Sequence, residues 1–111
     1  MEYNNQTNGR FDITKEAEIV ANIVVGDLAD SGLIPRGQED RAVEIASARF
    51  LAHRRAADAT VSDIEQESSV TAQAIIQSLV DAGIINTNDY ERAFEIAAEE
   101  ILVRRSMESL R

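Results

Sequence analysis

Apolar residues recur along this chain at intervals of three and four, the spacing that gathers them on one face of a helix. From Ile13 the series Ala17, Val20, Val24 and Leu28 keeps that register, and from Ile64 a sparser series reaches Ile75 and Leu79. Ala42, Ala46 and Phe50 form a third stripe. No segment sustains the period of two that a half-buried strand requires. The pattern predicts an all-α fold with four helices near 13–31, 38–57, 63–82 and 89–109. Ile19, Ile23 and Val25 widen the apolar surface of the first helix beyond one stripe, which predicts a helix packed on several sides. Gly26 inside it costs roughly 1 kcal/mol relative to alanine and is expected to mark a close helix approach.

The pattern is written twice. Residues 12–56 laid over 63–107 at an offset of 51 give fifteen identities in forty-five positions, without a gap. The D-x-G-x-I of Asp30–Ile34 returns at Asp81–Ile85, and the R-A-x-E-I-A of Arg41–Ala46 returns at Arg92–Ala97. Alanine-rich helices resemble one another by composition, but not through strings of that kind. About five residues separate the helices of each copy, which demands antiparallel neighbours. The reading is two tandem αα-hairpins, repeat one at 12–56 and repeat two at 63–107, in one helical domain at 12–111 behind a flexible arm at 1–11. They are expected to close into a four-helix bundle or to complete their core by dimerisation.

Helix ends are legible too. Asp12 and Asp63 suit the N-caps of the first helix in each copy, with Ser62 and Glu65 an alternative capping box. Gly37 and Asn88 suit the N-caps of the second helices. Gly32 and Gly83 fit the left-handed position of a Schellman motif, whose apolar contact would join Leu33 to Leu28 and Ile84 to Leu79.

Composition narrows the function more than it names it. The 111 residues include no cysteine, which excludes disulfides, iron–sulfur clusters and thiol catalysis. The polar start MEYNNQTNGR has no signal-peptide core, and no apolar run approaches the ~20 residues of a membrane span. A cytoplasmic protein is expected. Twenty acidic against eleven basic residues leave a net charge of −9, which disfavours direct contact with nucleic acid or an anionic membrane.

No candidate chemistry assembles into a site, so no cofactor, metal or catalytic activity is expected. Glu44 and Glu95 are paired by the repeat, but a carboxylate-bridged metal bundle needs Glu-x-x-His, and the residue three before the single His53 is Phe50. Wheel geometry puts both glutamates on the outer face and His53 beside the stripe of Ala42, Ala46 and Phe50. Asp30 with Arg41, and Asp81 with Arg92, flank the two turns and are expected to bridge them. Arg54-Arg55 and Arg104-Arg105 close each hairpin as cations favoured by the helix dipole. Leu51 and Leu102 fall away from the core stripe at matching positions, with Ala48 and Val103 nearby, and suggest a second apolar face that meets a partner. The expectation is a small acidic interaction or structural module, self-associating as a homodimer or docking on another protein. The alternative is an acidic inhibitor seated in the basic, nucleic-acid-binding groove of another protein, motivated by the net charge and by Glu91, Glu95, Glu99 and Glu100.

Overall fold

The computed structural model describes residues 13–57 and 64–109, with side chains over 14–53 and 65–107. The elements among the described residues are α1 (Ile13–Asp30), α2 (Glu39–Ala57), α3 (Ile64–Asp81) and α4 (Tyr90–Ser109), the last preceded by a 3-10 turn at Thr87–Asp89. No strand occurs among them. The arm, the caps expected at Asp12, Ser62 and Asp63, and the linker at 58–62 lie outside the described residues.

Each helix packs on two neighbours, α1 and α3 each touching both α2 and α4, so the four close a ring around one core. The arrangement is that of a four-helix bundle, in which the side made by α1 and α4 lies opposite the side made by α2 and α3. The branched bulk comes from α1 and α3: Val20, Val24, Val25 and Leu28 on one, Ile75, Ile76 and Leu79 on the other. Facing them, α2 presents Ala42, Ala46 and Phe50, and α4 presents Ala93, Ala97 and Ile101. Alanine lets the helices approach closely, so large side chains on one wall fill the space left by small ones on the next. Burying one side chain such as Leu28 is worth about 1.5–3 kcal/mol.

Among the described residues, every buried position of the first hairpin has a buried position 51 residues later. Glu16, Val24, Leu28, Ile34 and Phe50 answer to Glu67, Ile75, Leu79, Ile85 and Ile101. The bounds of α1 and α3 keep the same interval.

The first helix of each hairpin ends through a glycine with positive φ, Gly32 at 80° and Gly83 at 78°. The Leu33 N–H donates to the Leu28 carbonyl at 2.9 Å and the Gly32 N–H to Ala29 at 3.0 Å; Ile84 to Leu79 and Gly83 to Val80 repeat both bonds at the same lengths. These are the two bonds of the Schellman motif. The apolar residue after each glycine, Leu33 or Ile84, is buried.

Four expectations need correction. Gly26 marks no close approach: it is exposed, and a Cβ there would meet nothing within 4 Å. Nor is α1 packed all round, since Ile19 and Ile23 remain 37% and 38% exposed. Gly37 is not an N-cap. It adopts φ 93° in the turn, its N–H donating to Glu39 Oε1 at 2.9 Å, and the first helical bond runs from the Ala42 N–H to the Gln38 carbonyl. Asn88 is displaced from the cap by Asn86, whose side chain accepts the Asn88 N–H at 2.8 Å and starts the 3-10 turn earlier. Pro35 stands where Asn86 does in the other hairpin and has no side-chain acceptor, so the two turns diverge there.

Candidate docking faces

The residues singled out on the outer faces do not converge. Leu51 and Leu102 are both half-buried, and Leu51 packs against the core. They sit on α2 and α4, which stand across the bundle from one another. Glu44 and Glu95 are exposed on those same helices, with Ala48 exposed on α2 and Val103 49% exposed on α4. Glu44 and Ala48 help line a shallow groove of about 640 Å³ against Glu18 and Asn22 of α1. His53 is half-buried near the end of α2.

Asp30, Arg41, Asp81 and Arg92 are all exposed, and no ion pair joins Asp30 to Arg41 or Asp81 to Arg92. Asp81 instead accepts the Gln77 Nε2 at 3.0 Å, one helical turn back. Holding two long exposed side chains together costs as much entropy as the contact returns, which explains why the expected bridges do not form.

The ion pair that does form lies elsewhere. Arg105 meets Glu67 at 2.6 Å between α4 and α3, with the glutamate side chain 5% exposed and the arginine 16%. It ties the hairpin at the end opposite its glycine turn. Because α4 continues to Ser109, Arg104 and Arg105 lie ahead of its last turn, and the dipole does not account for Arg105. The side chains of Arg54 and Arg55 lie outside those described. Glu16, at the position of α1 equivalent to Glu67, is 3% exposed and likewise engaged in an interaction. A signal for this pair was present in the sequence. Glu16/Glu67 and Arg54/Arg105 are both identities of the repeat, and each glutamate falls one turn before a core position, at Val20 and Thr71.

Two seams between hairpins carry polar contacts at equivalent positions. Between α2 and α3, Arg49 Nε donates to Ser78 Oγ at 2.8 Å. This seam opens into a groove of about 540 Å³ lined by Ile45, Ala48, Arg49, Ala52, Ser78, Asp81 and Ala82. Between α1 and α4, the residues 51 positions away from those two are Asp27 and Glu100, and here two carboxyl groups share a hydrogen bond. That bond to Asp27 pushes Glu100 up to about 7, helped by burial and by the charges of Asp27 and Glu99.

The large exposed apolar side chains cluster around the second seam. Ile19 and Ile23 precede Asp27 at four-residue steps on α1, and Val103 and Met107 follow Glu100 at three and seven on α4. Since α1 and α4 run antiparallel, both rows extend from the carboxyl pair toward the same end of the bundle. Their exposures are 37% and 38% on α1, and 49% and 59% on α4. Among the described residues Val70 on α3 is the remaining large apolar side chain with comparable exposure.

Among the described residues no group of three or more His, Asp or Glu is placed to hold a metal ion, and no helix is long and apolar enough to cross a membrane. No protein-family model, curated protein sequence or solved structure matches this chain.

Proposed function

We propose that this chain is a small acidic helical module for protein–protein interaction, that it associates with itself, and that it carries out no catalysis. The observation that supports this reading is the apolar flank of the α1/α4 seam, where Ile19, Ile23, Val103 and Met107 stand in water on adjacent helices. Scattered exposed apolar residues are ordinary, but a cluster on neighbouring helix faces is a feature of interaction surfaces. The interface is therefore placed on α1 and α4, keeping Val103 from the expected set and setting aside the half-buried Leu51 and Leu102. In the same reading the two hairpins are copies of one unit related by a pseudo-twofold along the bundle axis. Light scattering coupled to size exclusion should give a mass above the monomer that rises with concentration. The double variant Ile23→Glu/Val103→Glu, altered only at exposed positions, should run as a folded monomer. If it associates as well as the parent chain, the α1/α4 face is not the interface.

The net charge of −9 and the acidic run Glu91, Glu95, Glu99 and Glu100 on α4 favour a second reading, an acidic inhibitor that covers a basic groove on another protein. Binding of that kind should weaken steeply as salt rises, and salt-independent binding would count against it.

A further inference from the structure

We propose that copies of this chain join head to tail, the α1/α4 face of one against the α2/α3 face of the next, so that association is open-ended rather than a closed dimer. This rests on the self-association reading above and adds which face meets which.

The case comes from comparing the two faces position by position. Where α1 carries Ile23 and Asp27, α3 carries Ala74 and Ser78; where α4 carries Glu100 and Val103, α2 carries Arg49 and Ala52. These four differences run in the complementary direction, while the position of Ile19 on α1 is held on α3 by Val70, also large and 45% exposed. Large apolar side chains on one face stand against alanines on the other, and a carboxyl pair stands against a guanidinium. The α2/α3 groove is hollow because Ala48, Ala52 and Ala82 leave it so, and Arg49 reaches across it with only its Nε committed to Ser78. Asp81 is the acidic residue in that groove, and its carboxylate already accepts Gln77.

Neither face suits itself. A twofold pairing of two α1/α4 faces would set the charge of Asp27 against its own copy, and like charges brought together are a recognised means of excluding a partner. A twofold pairing of two α2/α3 faces would oppose Arg49 to Arg49, and among the described residues Val70 is the one large exposed apolar side chain it would bring. The heterologous contact removes both objections. Because the two faces lie on opposite sides of the bundle, one contact leaves a free face at each end, and growth does not stop at two.

The test uses the full chain at neutral pH and low salt, followed by sedimentation velocity over a hundredfold range of concentration. The parent chain should show a weight-average mass that climbs past the dimer without a plateau. Arg49→Glu and Glu100→Arg should each lose association at least tenfold, since each sets like charges across the contact. An equimolar mixture of the two should regain it, because each variant then offers the face that the other lacks. Far-UV circular dichroism checks that both fold; Ala52→Glu, at an exposed position, gives an independent block of the receiving face. A parent chain that stops at dimer, or an Arg49→Glu variant that associates normally, overturns the head-to-tail contact and leaves self-association standing. A parent chain that stays monomeric throughout overturns both.

Discussion

Glu100 holds its proton for a local reason: its neighbour across the α1/α4 seam is another carboxyl group. In the unfolded chain it ionises near 4.5, and in the fold near 7. Between those values the folded state binds more protons than the unfolded one, so stability is fully present below the window and is lost as pH rises through it. Glu100→Gln keeps a donor for Asp27 but cannot titrate. It should flatten the dependence of Tm on pH between about 4.5 and 7, and an unchanged slope would assign the effect to another group. Glycines offer a sharper contrast at this scale. Gly26 is an ordinary helical residue with open space where its side chain would be, so Gly26→Ala should stabilise by about 0.5–1 kcal/mol. Gly83, held at φ 78°, should respond in the opposite sense, Gly83→Ala costing about 1–2 kcal/mol. Urea midpoints that move the same way in both variants would refute the distinction. Position in the pattern separated these two glycines, Gly83 at a helix end and Gly26 inside a helix; the open space beside Gly26 was not legible from it.

At the scale of elements, the hairpin α3–α4 is pinned at both ends by different physics: a backbone cap at the turn and a charged pair at the open end. Arg105→Met leaves the Glu67 carboxylate buried without its arginine and should cost about 3 kcal/mol in chemical denaturation. Adding Glu67→Leu should return most of that loss, because an apolar pair of similar volume needs no compensation. If the double variant were no more stable than the single one, the arginine's contribution would lie in packing rather than in pairing with Glu67. The helices themselves were legible to within a residue or two, because the glycine caps and the three-and-four spacing are local signals. What was not legible depends on partners across space. The Asp30–Arg41 and Asp81–Arg92 bridges looked natural from adjacency in a turn, yet solvent competes well enough to keep them apart. The buried Glu67–Arg105 pair joins residues 38 apart; the identities at an interval of 51 mark both positions, but no local rule points from one to the other. The cap at Asn86 is illegible for a related reason, since a carboxamide that folds back on its own backbone starts a turn without any periodic signal.

Over the whole molecule, the repeated pattern of burial and the unrepeated pattern of surface say different things. The buried positions agree across the 51-residue interval, whereas Ile23 and Ala74, Val103 and Ala52, Glu100 and Arg49 differ. Packing constrains the interior from all sides, while the outer seams face water and differ between the two hairpins. The ring of contacts carries one more consequence. Since α4 lies beside α1 much as α2 lies beside α3, the path through the bundle is cyclic in space although the polypeptide is linear. A chain opened between α2 and α3 and joined from α4 to α1 would thread the same four walls in the same rotational order. Where such a chain begins is then a matter of connectivity alone, and the core carries no record of it.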